Sequence, residues 1–216
     1  MQKPYLLTYS FLGKNLTVNV IKVNMNLKKI SAFSILDDSE IFILNKLMDT
    51  KDFKKGEDLI KQGEIADHII LLSSGIVSSI YTKKSKKFIR DFYFSPLIFT
   101  EQESFVNRVD SKFSVTAITN IECKLISYNN LEDAYKKIPR LRDVAYELLM
   151  NGFINISARL ESLLTLNPED RYRKLLNENP KLLHKIPLKM IASYLGITDV
   201  ALSRIRKRIS VKKRLT

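Results

Sequence analysis

The spacing of apolar and polar positions divides the chain into regions of different texture. From about residue 52 to residue 127, short apolar runs alternate with turn residues, and three of the six glycines fall in this window. Runs such as Ile76–Tyr81, Lys87–Tyr93 and Phe113–Ile118 predict short strands of a β-sandwich or barrel. Because glycine adopts positive φ angles at low cost, we interpret these glycines as tight turns between the strands.

Helical periodicity returns on both sides of this region. One helix is predicted from Asp38 to about Met48, and a longer one from Arg140 to about Thr165. In the longer helix, apolar residues recur at steps of three and four, which is the a/d seam of a coiled coil. The seam residues are Tyr146, Leu149, Phe153, Ile156, Leu160 and Leu163. We expect this seam to mediate dimerisation, and packing of the helix on its own β-domain is the alternative.

The segment Pro187–Ile209 carries the most specific pattern in the chain. Ala192, Gly196 and Leu202 occupy the small, turn and aliphatic positions of a helix-turn-helix, at spacings of four and six. In such a motif the second helix enters the major groove of DNA, and its early residues meet the base edges. The predicted base-reading residues are Thr198, Asp199, Val200, Ser203 and Arg204. Among them, Arg204 is suited to bidentate hydrogen bonding with guanine.

Charge strengthens this interpretation. The chain has 36 Lys and Arg against 23 Asp and Glu, a formal net charge of +13. The last 58 residues hold 14 of these bases and 5 acids, so +9 of the excess lies in about a quarter of the chain. An anionic partner is expected, with nucleic acid first and a membrane surface second. The residues predicted to neutralise DNA phosphates are Lys189, Arg206, Lys207, Arg208, Lys212, Lys213 and Arg214.

Two basic stretches admit a plainer interpretation. The cluster around the second helix could be a solvated helix face and tail, although the helix-turn-helix spacing favours DNA contact. The run Lys83-Lys84-Ser85-Lys86-Lys87 is predicted to be a hairpin tip. For this run a solvated charged turn is favoured over a contact with DNA or a ligand.

The remaining composition excludes several classes of site. The single cysteine, Cys123, rules out an internal disulfide and an iron–sulfur cluster, and it fits a reducing cytoplasm. His68 and His184 lack the spacing of metal ligands, so no metal site is predicted. We find no phosphate-binding glycine loop or hydrolase motif, so an enzyme is not expected. No apolar run is long enough to span a bilayer, and a soluble cytoplasmic protein is expected.

The first 24 residues are polar and irregular, apart from a strand-like run from Thr17 to Val23. An amphipathic segment begins at Met25. One hypothesis is that Met25 is the natural start and residues 1–24 are an upstream extension. An ordered extra strand is the alternative, and the intact mass of the native protein would decide between them.

Over about residues 25–210, the chain resembles the Crp/Fnr superfamily of bacterial transcription regulators. In the first part, Lys55-Gly56-Glu57, Gln62-Gly63-Glu64 and Leu71–Gly75 resemble the turn glycines of the family's cyclic-nucleotide-binding-like β-roll. In the last part, the resemblance lies in Ile191–Thr198 and Leu202–Lys207.

The resemblance implies an α+β protein in three functional parts. It predicts an N-terminal double-stranded, jelly-roll-like β-roll as the effector domain, a long dimerisation helix and a C-terminal winged helix-turn-helix. We place these parts after an N-terminal extension at residues 1–24. Their predicted bounds are 25–139 for the effector domain, 140–165 for the helix and 166–216 for the DNA-binding domain.

The sequence departs from the family in its effector region. Members that bind cyclic nucleotides carry a Gly-Glu pair and, further along, an Arg-Ser or Arg-Thr whose arginine holds the cyclic phosphate. The corresponding residues here are Thr100-Glu101 and Ser111-Lys112. Lys112 or Arg108 could substitute for the arginine, but a lysine lacks its planar fork. We therefore predict no response to cyclic AMP and leave the effector open.

An effector pocket is expected between the roll and the long helix. The candidate residues are Phe99, Glu101, Phe105, Lys112 and Phe113. For the aromatic members, a place in the hydrophobic core is favoured over a place in the pocket, because apolar residues usually pack inside.

The DNA-binding region departs from the family too. Val200 stands where many members place an acidic residue one turn before the arginine, with Asp199 beside it. The operator is therefore expected to differ from the family's best-known one. Because the chain stops soon after Ile209, the β-wing is expected to be short or missing.

Together these observations predict a homodimeric transcription regulator. Its expected partners are double-stranded DNA, a second copy of the chain and an unidentified small-molecule effector, with RNA polymerase as a further partner. An effector would shift an equilibrium between helix orientations through the long helix. The alternatives are a ligand-free dimeric interaction protein that recruits another regulator, and a basic peripheral membrane module.

Overall fold

The structure is a computed structural model that describes residues 8–11, 14–17, 27, 30–178 and 185–212. Ten strands are described: β1 Thr8–Phe11, β2 Lys14–Thr17, β3 Asp49–Phe53, β4 Asp58–Ile60, β5 His68–Ser74, β6 Ile76–Lys83, β7 Lys86–Phe94, β8 Leu97–Phe99, β9 Ser114–Ala117 and β10 Ile121–Ser127. The α-helices are α1 Asp38–Lys46, α2 Gln102–Asn107, α3 Tyr128–Lys137, α4 Leu141–Thr165, α5 Pro168–Glu178, α6 Leu188–Tyr194 and α7 Asp199–Lys212. The α+β class and the β-roll predicted from the sequence are confirmed.

Two four-stranded antiparallel sheets form the roll. The first has the order β3-β10-β5-β8, and the second has the order β4-β9-β6-β7. Alternating residues of each strand face opposite sides, as in any pleated sheet. In β5, Ile70 and Leu72 point into the core between the sheets, whereas Leu71 faces the helices outside. At β5, the first sheet thus packs against the second sheet on one face and against helices on the other.

Helices cover the two outer faces of the roll. The first sheet is covered by a 3-10 helix at Ser31–Ile35, by α1, and by the start of α4 through Leu141 and Val144. The second sheet is covered by α5, α6 and α7. The C-terminal helices therefore share a hydrophobic core with the roll.

Helix ends follow local chemistry. Asp37 caps α1, because its carboxylate accepts hydrogen bonds from the backbone N–H groups of Ser39 and Glu40, both at 2.9 Å. The Asn167 side chain accepts from the Asp170 N–H at 3.0 Å, and α5 begins at Pro168, whose fixed φ suits the first position of a helix. In α1 the helix ends at Lys46, two residues before the predicted end at Met48.

Other sequence predictions fall partly outside the described residues. The strand predicted for residues 17–23 overlaps β2 only at Thr17, and the rest lies outside the described residues, as do Met25 and His184. The N-terminal start-site hypothesis therefore stays a prediction. Within the described part of the chain, no helix is long and apolar enough to span a membrane.

The buried thiol of Cys123 provides a simple test of the roll's packing. Burial raises its pKa to about 11, and its Sγ donates to the Lys51 carbonyl at 3.1 Å. With this pKa, about one thiol in a thousand is ionised at pH 8, and the thiolate is the reactive form. Iodoacetamide at pH 8 should leave the native protein unmodified for hours and alkylate it rapidly in urea, as followed by intact mass. Equal alkylation rates in both conditions would show that Cys123 is not buried in the native protein.

Candidate nucleic-acid interface

Helices α6 and α7 form a compact pair joined by a short turn. Ala192 is fully buried at their crossing, and Leu202 and Ile205 face the same core from α7. Gly196 has a φ of +69° and lies in the turn, where the Ile197 N–H donates to the Ala192 carbonyl at 3.0 Å. Glycine suits this left-handed position because it has no Cβ. Ala192, Gly196 and Leu202 therefore lie at the helix crossing, in the turn and in the core, as their spacing in the sequence predicts.

Thr198 sets the start of α7. Its Oγ1 accepts a hydrogen bond from the Ala201 N–H at 3.2 Å, which satisfies one of the free donors of the first turn. Because Leu202 and Ile205 point inward, the opposite face of α7 points to solvent. All five predicted base-reading residues are exposed: Thr198, Asp199, Val200, Ser203 and Arg204.

The predicted phosphate contacts divide into four groups. Lys189 and Lys207 are exposed and have no ion pair with a described carboxylate. Arg208 forms an ion pair with Glu169 at 3.2 Å, and Arg206 hydrogen-bonds Tyr172, so both arginines also tie α7 to α5. Lys212 ends α7. The other two, Lys213 and Arg214, lie outside the described residues.

The helix pair is docked on the outer face of β7, which sequence reasoning missed. The Ile89 N–H donates to Ser193 Oγ at 3.0 Å, and the rings of Phe92 and Tyr194 lie 5.4 Å apart. Arg159 from α4 donates to the Tyr194 carbonyl at 2.8 Å and lies 3.6 Å from the centre of its ring. A serine and a tyrosine on a short helix give no local signal of such a contact.

The half-buried carboxylate of Asp91 lies at the same junction. Burial raises the pKa of Asp91, while a hydrogen bond from the Phe92 N–H and the charges of Arg159 and Arg90 lower it. Arg159 therefore has two functions: it supports Tyr194 directly, and it offsets part of the cost of burying a carboxylate. The junction couples the roll, the long helix and the helix pair.

The predicted effector residues divide between the interior of the roll and its surface. Phe99, Phe105 and Phe113 are buried in the core between the sheets, which also fits the alternative interpretation of them. Glu101 is buried and caps α2, because its carboxylate accepts from the Ser104 N–H at 2.7 Å. Lys112 is exposed and hydrogen-bonds Glu103 at 2.7 Å.

Arg108 and Arg90 are the arginines near this region. Arg108 points outward, donating to Asp67 at 2.5 Å and to the Ala66 carbonyl at 3.3 Å. Arg90 enters the roll from β7 and places its guanidinium 4.7 Å from the centre of the Phe113 ring. This position of Arg90 was not predicted from the sequence. The adjacent charges Arg90 and Asp91 interrupt the apolar part of the strand Lys86–Phe94, and this interruption was a signal that Arg90 does not lie on an ordinary solvent-exposed face.

A small cavity lies between the roll and the first turns of α4. Its volume is about 50 Å³, and its walls are apolar, including Phe33, Ile98, Tyr135 and Leu148. None of the predicted effector residues lines it. The assignment of the effector pocket thus stays a prediction.

The predicted seam of α4 is an exposed apolar stripe. The side chains of Tyr146, Leu149 and Phe153 are 67%, 60% and 66% exposed, although all three are large and hydrophobic. The stripe continues through Ile156, Leu160 and Leu163. Apolar surface of this extent on a helix indicates a protein contact. No described element of the same chain covers it.

Comparisons with known proteins agree with this architecture. Residues 50–137 match the family model of the cyclic nucleotide-binding domain. No curated protein matches the chain.

Solved structures resemble the chain over most of its length. The c-di-GMP responsive global regulator CLP of Xanthomonas campestris is 16% identical, with a TM-score of 0.69 over 82% of this chain and 93% of that one. FixK2 of Bradyrhizobium japonicum is 16% identical, with a TM-score of 0.66 over 77% and 86%. A Crp/Fnr family regulator of Eubacterium rectale is 15% identical, with a TM-score of 0.65 over 86% and 88%. At these identities the likeness shows the fold.

Proposed function

We propose that this chain is a homodimeric DNA-binding transcription regulator. Its residues 50–137 belong to the cyclic nucleotide-binding domain family, and its fold is that of the Crp/Fnr regulators. It acts in the cytoplasm and catalyses no reaction. The observation that carries the proposal is the exposed basic face of α7. This face is held in position because α7 crosses α6 at the buried Ala192. The domain bounds predicted from the sequence are kept as part of this proposal.

The chemistry of α7 supports DNA recognition. Val200 is 60% exposed at the start of the helix, where a recognition helix meets the base edges. One turn further, Arg204 has an exposed guanidinium suited to guanine. Lys189 and Lys207 are placed to neutralise phosphates, which adds affinity without sequence preference. Together they combine base reading with backbone contact.

The stripe on α4 supports a symmetric dimer. Self-association of this stripe through a twofold axis buries apolar surface on both protomers. A dimer also places two copies of α7 for half-sites about one DNA turn apart. The operator is therefore expected to be nearly palindromic.

The effector region does not fit a cyclic phosphate. One carboxylate oxygen of Glu101 accepts the hydrogen bond that caps α2, and Lys112 is held outside the roll by Glu103. A cyclic phosphate requires a cation with paired N–H donors, and Lys112, which stands at the position of the family's arginine, lacks the planar fork and is already paired with Glu103. We infer that cyclic AMP is not the effector, and calorimetry showing micromolar binding of cyclic AMP would contradict this.

Two substitutions test DNA reading. Arg204→Ala should cost about 1–3 kcal/mol at a guanine-containing operator and relax sequence preference there. Lys207→Ala should weaken binding equally on all sequences and reduce the salt slope by about 1. Gel shifts at several salt concentrations measure both effects. Identical behaviour of the two variants would contradict base reading by Arg204, and no binding at low salt would end the proposal.

A further inference from the structure

The β6–β7 hairpin ends in a cluster of lysines. Lys84 and Ser85 form its two-residue turn, with φ angles of 48° and 63°, and Lys83 pairs with Lys86 at the end of the ladder. The four lysines at positions 83, 84, 86 and 87 are all exposed. The tip of this two-stranded hairpin therefore carries four positive charges.

This tip forms one wall of a groove whose other wall is the helix pair. The groove has a volume of about 1340 Å³, and we call it the lysine groove. Its basic residues are Lys55, Lys84, Lys86, Lys87 and Lys189, and its acidic residue is Asp199. Thr198 and Val200 at the start of α7 line it as well. The hairpin and the base-reading end of α7 thus open into the same space.

The lysines of the groove are not neutralised within the described part of the chain. None of the five forms an ion pair with a described carboxylate, whereas Lys61, Lys112 and Lys136 each have one. Lys86 instead lies 5.1 Å from the centre of the Phe88 ring. Like charges placed close together repel one another unless an anion lies between them. The groove is therefore matched to a polyanion.

The position of the tip beside α7 is held by packing. The strand that leads from the tip carries Ile89 and Phe92, which contact Ser193 and Tyr194 of α6. Ile80 on the partner strand belongs to the same core. Because α6 and α7 are fixed to each other, the tip and the start of α7 keep one relative position. DNA that receives α7 in its major groove has its phosphate backbones on either side of that helix.

We propose that the lysine tip of the β6–β7 hairpin contacts the DNA backbone beside α7, so that the effector domain itself forms part of the DNA interface. This inference rests on the proposed function. It assigns phosphate contacts to Lys84, Lys86 and Lys87, which lie about a hundred positions before the helix pair in sequence. It also links effector and operator, because any ligand that moves β7 would move these contacts.

The test is a triple variant, K84A/K86A/K87A, in the full-length protein. A matched control is K46A/K136A/K137A, which removes the same charge from exposed sites on α1 and α3. The measured quantity is the dependence of operator affinity on salt, using the DNA sequence that the wild type selects. The logarithmic slope should become shallower by about 0.9 for every lysine that contacts phosphate. Affinity at 0.15 M salt should fall about tenfold or more, with sequence preference unchanged.

Each outcome decides between the two proposals. A slope equal to that of the control would overturn the hairpin contact while leaving DNA recognition by α7 in place. Tighter binding by the triple variant would also overturn it, since the tip would then obstruct DNA. A triple variant with normal DNA binding that loses affinity for inorganic polyphosphate would assign the groove to a free anion instead. If the wild type binds no DNA, the proposed function and this inference fail together.

Discussion

Replacing Phe153 with glutamate in the middle of α4 is expected to convert the dimer into monomers and to weaken operator binding by about 100-fold or more. Phe153 is 66% exposed, with Leu149 and Ile156 on the same stripe. In a symmetric dimer, each glutamate would face its own copy across an apolar seam. Burying two like charges there is strongly unfavourable. A monomer binds one half-site alone and loses the gain of two linked contacts.

The control for this variant is Asn151→Glu on the same helix. Asn151 is exposed and lies off the seam, so it receives the same charge without facing a partner. Sedimentation velocity should show monomers for Phe153→Glu and dimers for Asn151→Glu, with both variants folded by circular dichroism. A Phe153→Glu protein that remains dimeric would place the dimer interface elsewhere.

Replacing Gly75 with alanine is expected to lower the free energy of unfolding by about 3 kcal/mol or more. Gly75 links β5 to β6 with a φ of +95°, a conformation that residues with a Cβ rarely adopt. A Cβ there would lie 2.6 Å from Ile121 Cγ2 and 2.7 Å from the Asn120 carbonyl oxygen. The backbone would have to shift, because the carbonyl cannot rotate away without disturbing the start of β10.

Gly56→Ala separates the two causes of this destabilisation. Gly56 has nearly the same φ, +91°, but nothing lies within 4 Å of the position of its Cβ. Only the conformational cost of about 1–2 kcal/mol applies there. The midpoint temperature of thermal unfolding should fall by roughly 2–4 °C for each kcal/mol of lost stability in a chain of this size. Equal shifts for the two variants would show that Gly75 is not crowded as described.

The parts of the fold that were predictable depend on short-range patterns. The strand runs Ile76–Tyr81 and Lys87–Tyr93 and the turn at Gly196 each involve residues within one strand or one helix end. Period and capping are set by backbone geometry, so they are visible in sequence. The six-residue seam of α4 is equally local, because apolar steps of three and four specify one helix face.

The docking of the helix pair on the roll was not predictable from such patterns. The hydrogen bond between Ile89 and Ser193 joins residues separated by 104 positions. Ser193 and Tyr194 fit an ordinary helix surface as well as a buried contact. In the effector region, the residue types at Glu101 and Lys112 were clear, but the directions of their side chains depended on α2 and on Glu103. Sequence patterns specify elements, whereas side-chain partners depend on the assembled fold.

Selection of bound sequences from random duplex DNA tests DNA recognition by α7 most directly. The wild type should enrich a nearly palindromic sequence whose half-site centres lie about 34–36 Å apart. Arg204→Ala should lose the preference at one guanine position in each half-site while retaining salt-sensitive binding. Failure of the wild type to enrich any sequence at low salt would contradict the claim.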